Sequence, residues 1–461
     1  MSGHTETSRL NPTDEMLWRA AADLGSARIV QLAWWFPDPL TEEQLQQLWQ
    51  HLDAGRLSRT ARRSLVPGAR REWTPTRNRQ PGPLLSAQQV QHVHSWLDEQ
   101  IRQPLTVEQD VLWRLVAAPY DGGTMVSLCV PHFRSDGHGI FLALSEHYPV
   151  AEGELESAGA ASVRRDLADA IRTGSSAFVQ TVRWLASAPA DPAQLTAIRQ
   201  ALRRRPAAPS QQEEEAPRFF HSSYLAVNAA AWRDQAVAHD GTSNSLFVEI
   251  AANMIRHAAA DRDVVRVGIP MDLRRSPADT RANALVVVPV SLPAGPARYG
   301  SLQRTRELIR AALVASGDHS STLVPAPLWH LLPASVRTKL KTPGAQQTDV
   351  VASNFGLAPK ALLHIGDRDA GGLCCRTMNV PGLVPGRAAL RASLCLLEVG
   401  DQIMLTVTGI PDYYADEEAL QRLVIAELAG WGLTARPVWP AASVSSQAVP
   451  GQRQHVEGTN R

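Results

Sequence analysis

The apolar residues of the chain recur with two different periods, and these periods alternate along the sequence. Short runs rich in β-branched and aromatic residues are typical of strands, whereas apolar residues three and four apart are typical of one buried helix face. In the first half, the strands predicted in this way are 29–35, 110–117 and 125–132. The helices predicted in this half are 41–52, which a capping box at Thr41 opens, 86–101 and 163–185.

The second half repeats this mixture of strands and helices. Its predicted helices are 245–260, 301–315 and 417–429. Its predicted strands are 264–269, 285–292, 389–399 and 402–408, with Gly400-Asp401 as the hairpin turn between the last two. Because both halves mix the two kinds of element, the pattern predicts an α/β or α+β protein with two domains of comparable size.

A boundary between the two halves is predicted at 203–217, where blocks of arginine and glutamate are interleaved with three prolines. Such a segment resists regular packing, so we interpret it as a linker. The predicted first domain is therefore 1–202 and the predicted second domain is 218–440. Residues 441–461 are rich in Ser, Gln and Gly, and we expect a disordered tail there.

Composition narrows the class of protein. With 44% hydrophobic and 20% charged residues, the chain is typical of globular proteins, and its net charge of +1 argues against a general nucleic-acid binder. No stretch is apolar enough to span a bilayer, and the polar N-terminal residues lack a secretory signal, although a peripheral membrane contact stays open. The four cysteines form no metal-binding or redox pattern, so we expect inert thiols in a cytoplasmic protein.

The strongest chemical signal lies at the end of the strand predicted at 125–132. That strand ends in His132, after which Asp136-Gly137 turns the chain away. A strand end can hold a side chain rigidly over a cleft, and an unperturbed imidazole accepts and returns protons near neutral pH. His132 is therefore the candidate general base. The alternative is a structural histidine at a strand end.

His132-x-x-x-Asp136-Gly137 resembles the active-site motif of an acyltransferase superfamily. This superfamily includes nonribosomal peptide condensation domains, chloramphenicol acetyltransferases, plant hydroxyl acyltransferases and the bacterial wax ester synthase/diacylglycerol acyltransferases. Further segments resemble motifs of the last branch and follow its order, at 10–17, 103–105, 111–115, 269–274, 282–285, 292–293 and 352–357. Three positions depart from that branch: Pro131 replaces the first of two histidines, Ala282 a glycine and Leu357 a proline.

The resemblance implies a role for the residues around His132. Asp136 is expected to pair with Arg274, with Arg275 as the rival partner, and so to fix the loop that aims the histidine. For Gly137 we expect a close backbone approach or a helix start, against the alternative of an ordinary turn glycine.

Three further residues are candidates for binding the substrate or an oxyanion, or else act only in turns and caps: Asn283, Ser353 and Asn354. His138 completes no cluster of metal ligands, so no metal site is expected.

The resemblance also implies a fold and an activity. The fold is α/β, with two chloramphenicol acetyltransferase-like domains, each a mixed sheet with flanking helices, and a substrate tunnel at their interface. The activity is transfer of an acyl group from acyl-CoA, or from a carrier-protein pantetheine thioester, to a hydroxyl of a lipophilic alcohol or natural-product scaffold. His132 would act as base without a covalent intermediate, and the thioester is a cosubstrate, with no cofactor.

Two alternatives remain from the sequence. The first is a stand-alone condensation enzyme that forms an amide from a carrier-protein-bound acyl group. The second is a member that binds a ligand or partner without catalysis.

Overall fold

The computed structural model describes residues 9–24, 27–76, 81–107, 111–145, 160–187, 192–203, 220–258, 263–315, 322–337, 339–340, 348–377, 390–409 and 414–439. The strands, in chain order, are β1 Ile29–Phe36, β2 Arg59–Arg62, β3 Glu72–Pro75, β4 Leu84–Leu85, β5 Arg114–Tyr120, β6 Gly123–Pro131, β7 His221–Asn228, β8 Val264–Asp272, β9 Leu285–Pro293, β10 Val350–Leu357, β11 His364–Ile365, β12 Arg368–Asp369, β13 Gly372–Arg376, β14 Ala392–Val399, β15 Gln402–Gly409 and β16 Ala435–Pro437.

Helices lie between these strands in both halves of the chain. In chain order they are α1 Pro12–Leu24, α2 Glu42–Asp53, α3 Val93–Arg102, α4 Gly137–Ser145, α5 Ala160–Ser187, α6 Pro192–Arg203, α7 Ala229–Ala238, α8 Ser243–Ala258, α9 Gln303–Ala315, α10 Ala326–Leu331, α11 Ala334–Arg337 and α12 Glu417–Gly430. None of the described helices is long and apolar enough to cross a membrane.

The first sheet has five strands in the order β13-β1-β6-β5-β4. Strand β6 lies in its middle, antiparallel to β1 and β5, and all nine of its residues are buried. Burial on both faces explains why β6 reads as a nearly continuous apolar run rather than an alternating one. The edge strand β13 comes from the second half of the chain and pairs antiparallel with β1, whereas β4 at the other edge pairs parallel with β5, so this sheet is mixed.

The second sheet has seven strands in the order β16-β7-β15-β14-β10-β8-β9. Strand β10 runs parallel to both β14 and β8, and the other neighbours are antiparallel, so the sheet is mixed. Helix α8 packs against it and is buried on every face from Ser245 to Arg256. Its buried polar residues Glu249, Asn253 and Arg256 lie on one face and bond to one another, so α8 can lie in the core and anchor the second half.

The apolar cores of the two halves are in contact. The cluster around the first sheet includes Tyr224, Ala226, Leu397 and Met404, all from strands of the second sheet. All four cysteines are buried and form no disulfide. The α/β class with two mixed sheets and flanking helices is thus confirmed. The domain boundaries stay a prediction, since 204–219 and 440–461 lie outside the described residues.

Most of the predicted elements are confirmed, and three begin at least three residues later than predicted. The strand predicted from residue 389 begins at Ala392. The helix predicted from residue 86 begins at Val93, because the Ser86 hydroxyl accepts a hydrogen bond from the Gln88 backbone and closes a turn there. Leu84–Leu85 before it pairs as a short strand with β5. The strand predicted from residue 110 begins at Arg114, while 108–110 lie outside the described residues.

Candidate active site

His132 directly follows the last residue of β6, where the two halves of the chain meet. Pro131 ends the strand and pairs with Ile29, and the His132 backbone N–H donates to the Arg28 carbonyl oxygen at 2.8 Å. Proline lacks a backbone donor, so a strand end is a position that accepts it. The imidazole thus directly follows the central, fully buried strand of the first sheet, while its side-chain partner comes from the second half.

A hydrogen-bonded chain of three side chains begins at the imidazole. The His132 Nδ1 lies 3.0 Å from Oδ1 of Asn283, and Nδ2 of Asn283 donates to Oδ1 of Asp14 at 3.0 Å. The same Asp14 oxygen also accepts from the Asn283 backbone N–H at 2.9 Å. Asn283 and Asp14 are each 1% exposed. Asp14 and Asn283, which are 269 positions apart in the sequence, are therefore in contact next to His132.

The hydrogen bonds among His132, Asn283 and Asp14 determine the tautomer of His132. The amide nitrogen of Asn283 faces two acceptors, the Asp14 carboxylate and the Phe133 carbonyl oxygen at 3.3 Å, so its amide oxygen must face the imidazole. That oxygen can only accept, and Nδ1 of His132 must therefore carry the proton. Nε2 is left with its lone pair as the acceptor atom.

Burial shifts the pKa values of His132 and Asp14, the two titratable groups that Asn283 connects. Partial burial of the imidazole lowers the pKa of His132, and the nearby Arg28 guanidinium lowers it further. At neutral pH the histidine is uncharged, as a general base must be. At the other end, burial raises the pKa of Asp14 to about 6, although hydrogen bonds from Asn283 oppose the change.

Asp136 holds the loop after His132 against the second half. Its Oδ1 accepts from Nη1 of Arg274 at 2.9 Å and from the Gly139 backbone at 2.7 Å, while Oδ2 accepts from the Ala284 backbone at 2.9 Å. The side chains of Asp136 and Arg274 are 3% and 2% exposed, so the ion pair is fully desolvated. Arg275 is exposed, and Arg274 is the partner.

Helix α4 begins at Gly137, where a larger residue fits only if the Phe355 ring shifts. A Cβ atom on Gly137 would lie 2.6 Å from Cε1 of Phe355 in β10. Phe355 in turn contacts Phe141 of α4, with ring centroids 5.1 Å apart. The glycine thus permits the close approach of α4 to β10, which carries Ser353 and Asn354.

We expect Gly137→Ala to destabilise the protein by about 1–3 kcal/mol, because the added methyl group overpacks the contact with Phe355. Gly174→Ala in α5 is the matched control, since a Cβ atom there meets nothing within 4 Å. Urea unfolding of both variants measures the difference. Equal stability of Gly137→Ala and wild type would show that Phe355 moves freely.

The structure places the remaining candidates around this core. Ser353 is buried in β10 in register with Cys395 of β14. Asn354 is exposed; its amide nitrogen lies 3.3 Å from Oδ1 of Asn244, and its own Oδ1 accepts from the Gly356 backbone at 2.9 Å. His138 lies on the exposed side of α4, with Nε2 3.5 Å from an Asp272 oxygen. The described ranges contain no group of three His, Cys, Asp or Glu side chains that could hold a metal ion.

Asp14 is the site residue that sequence reasoning missed. In the local sequence Asp14 reads only as a helix-capping residue. Asp14 and Asn11 each accept a hydrogen bond from the other's backbone N–H at the start of α1. The same carboxylate uses its second oxygen for Asn283. A capping pattern explains the residue locally and gives no indication of the distant contact.

The architecture is that of two-lobed condensation domains and wax ester synthases. The structure is similar to the first condensation domain of the calcium-dependent antibiotic synthetase, with a TM-score of 0.57, 14% identity, and coverage of 92% of this chain and 95% of that one. It is likewise similar to the wax ester synthase/diacylglycerol acyltransferase from Marinobacter aquaeolei VT8, with a TM-score of 0.53, 15% identity, and coverage of 92% and 98%.

A third similar structure is the epimerization domain from the third module of tyrocidine synthetase B, with a TM-score of 0.51, 12% identity, and coverage of 92% and 94%. No protein-family model matches the chain, and no curated protein matches it significantly. At these identities the likeness establishes the fold, and that fold is the one which the motif resemblance predicted.

Proposed function

We propose that the protein is an acyltransferase that moves an acyl group from a thioester to a hydroxyl group, with His132 as the general base. One observation carries this proposal: Nδ1 of His132 lies 3.0 Å from the amide oxygen of Asn283. We infer from it that the proton sits on Nδ1, which leaves Nε2 to accept a proton. The lowered pKa of the imidazole keeps it neutral for that task. The shared fold with condensation domains and a wax ester synthase supports the reaction class.

In the proposed reaction, Nε2 of His132 takes the proton of the acceptor hydroxyl as its oxygen attacks the thioester carbonyl carbon. The tetrahedral intermediate then collapses, the C–S bond breaks, and the departing thiolate takes the proton back from His132. One C–O bond forms and one C–S bond breaks, so no acyl-enzyme is required. Holding donor and acceptor together supplies the proximity on which this direct transfer depends.

The supporting residues have separate roles in this proposal. Asn283 uses its side-chain amide on His132, Asp14 and Phe133, and we assign it to positioning the base. Asp136 and Arg274 hold the loop that carries the histidine. Ser353 and Asn354 remain the candidates for contacting substrate, on the strand whose Phe355 touches Gly137.

The proposal leaves several acyl donors and acceptors to be distinguished. We propose acyl-CoA or a carrier-protein pantetheine thioester as donor and a lipophilic alcohol or natural-product scaffold as acceptor. The similarity to condensation domains favours one alternative, amide formation from a carrier-protein-bound acyl group. Mass spectrometry of products tests these options, with short to long acyl-CoAs or an acylated carrier protein offered with pooled alcohols and amines.

An ester product from acyl-CoA supports the main proposal. An amide formed only from the carrier-protein donor supports the condensation alternative. Absence of both products with every donor would contradict an enzymatic role.

We expect Asp14→Asn to lower kcat about 10- to 100-fold at neutral pH, because it weakens the hold of Asn283 on the imidazole. In the wild type, kcat should fall as the pH drops through about 6, where Asp14 takes up its proton. Below that pH the neutral carboxyl group orients Asn283 less firmly. The variant should lose this step and keep only the decline from His132, whose pKa burial lowers.

The measurement is kcat and KM against pH for wild type and Asp14→Asn. A purely structural role would lower stability without changing the shape of the pH profile. Superimposable profiles for the two proteins would contradict the proposed positioning role of Asp14.

A further inference from the structure

The residue directly opposite His132 in the first sheet is Arg28. Strand β1 pairs with β6 in a register that sets Ile29 against Pro131, and the His132 backbone N–H continues this ladder by donating to the Arg28 carbonyl oxygen at 2.8 Å. Opposed residues of an antiparallel pair project to the same face of the sheet, with Cβ atoms about 5 Å apart. The Arg28 side chain and the imidazole therefore lie next to each other.

The surroundings of Arg28 are those of a cleft. Its side chain is exposed to solvent and the imidazole beside it is half-buried, although the strands β1 and β6 that adjoin them are almost entirely buried. The enclosing protein nevertheless desolvates the guanidinium in part and so lowers the pKa of Arg28. A group that solvent reaches and that protein still surrounds lines a concavity, the usual shape of a ligand site.

The bonds of Arg28 differ from those of the other arginines around the site. The guanidinium groups of Arg59, Arg134 and Arg274 donate to carbonyl or carboxylate oxygens of the protein. Within the ranges that the structure describes, the Arg28 side chain forms neither an ion pair nor a hydrogen bond. Its N–H donors are therefore available to a group that enters the cleft.

A cation next to a general base opposes catalysis unless an anion accompanies it. The charge of Arg28 lowers the pKa of His132 and so disfavours the imidazolium that forms when Nε2 takes a proton. Asp136 acts in the opposite direction, but its carboxylate is already bound to Arg274. A negative group of the substrate beside Arg28 would remove this penalty.

We propose that Arg28 binds a carboxylate of the acceptor, so that the acceptor is a hydroxy acid. The planar guanidinium matches a carboxylate through two parallel hydrogen bonds. The carboxylate belongs to the acceptor rather than the donor, because the acceptor hydroxyl must reach Nε2 of His132 and its neighbouring groups then lie near Arg28. This inference rests on the proposed function and narrows its substrate class.

The test compares 2- and 3-hydroxy acids of short to long chain with their methyl esters, which lack the negative charge. Isothermal titration calorimetry of the full chain, without an acyl donor, measures binding apart from turnover. We expect the wild type to bind at least one acid about tenfold or more tightly than its ester, as a charge-assisted contact predicts. Equal affinity for acid and ester throughout the series, or no binding of any acid, would overturn the proposal.

Substitutions of Arg28 show whether this residue provides the preference. Arg28→Gln should bind acid and ester equally, with the affinity that the wild type has for the ester. Arg28→Lys keeps the charge without the planar fork and should retain part of the preference. Arg275→Gln is the matched control, since Arg275 is exposed, and it should behave as the wild type does. A preference for the acid that survives in a folded Arg28→Gln protein would contradict the assignment.

Thiol release from acyl-CoA separates this inference from the proposed reaction. Binding of the acids that depends on Arg28, without any thiol release, would support the carboxylate site and count against acyl transfer. Equal kcat/KM for acids and esters would support transfer and overturn the carboxylate site. An Arg28→Gln protein with unchanged binding and an equally lowered kcat for acids and esters would also overturn it, because the guanidinium would then stabilise the oxyanion.

Discussion

Replacing His132 with alanine is expected to lower kcat/KM for acyl transfer about 10²- to 10⁴-fold, the usual contribution of a positioned general base. The loss arises because no other group is proposed to take the acceptor proton as the C–O bond forms. Since Nδ1 of His132 is bound to Asn283, the variant removes a base whose orientation and tautomer are both fixed. Steady-state thiol release with a saturating donor measures the effect.

His138→Ala is the matched control for this variant. His138 lies six residues further along, on the exposed side of α4, and we expect nearly wild-type activity after its replacement. Thermal unfolding must show that both variants fold. A decrease of less than about tenfold for a folded His132→Ala protein would contradict the role of His132 as base.

Removing Arg274 is expected to destabilise the protein by about 3–5 kcal/mol, because the buried Asp136 carboxylate then has no cationic partner. Removing Asp136 leaves less unpaired charge, since Arg274 keeps its ion pair with Asp272 at 3.2 Å. Asp136 also accepts backbone hydrogen bonds from Gly139 and Ala284, so Asp136→Ala leaves those donors unsatisfied as well. Both side chains are almost fully buried, and solvent does not screen their interaction appreciably. The loop carrying His132 would loosen together with the contact between the two halves.

Urea unfolding of single and double variants measures this effect. The Asp136→Ala/Arg274→Ala double variant should lose less stability than the sum of the two single losses, because it leaves no lone buried charge. Arg275→Ala is the matched control, and its exposed side chain predicts a change within about 0.5 kcal/mol. Strict additivity of the two single variants would contradict the structural pairing.

Local patterns were sufficient to predict the elements that carry the motif. The apolar run ending at His132 predicted β6, and the Asp136-Gly137 turn predicted the direction change after it. The capping box at Thr41 predicted the start of α2 to within a residue. Each of these patterns involves residues within a few positions of one another, so it can be recognised in a single sequence.

Long-range placements could not be predicted in the same way. Nothing near Gly372–Arg376 indicates that β13 joins a sheet built mainly from residues more than 200 positions earlier. The contact of Asp14 with Asn283 likewise depends on how the two halves are packed.

The most direct test of the account is thiol release by the wild-type protein from acyl-CoA or acylated carrier protein, with and without an acceptor. Direct transfer between two bound substrates predicts release that requires the acceptor and matches the amount of acylated product. Thiol release that proceeds equally without any acceptor would contradict the account. Complete absence of release with every donor and acceptor would favour the non-catalytic alternative.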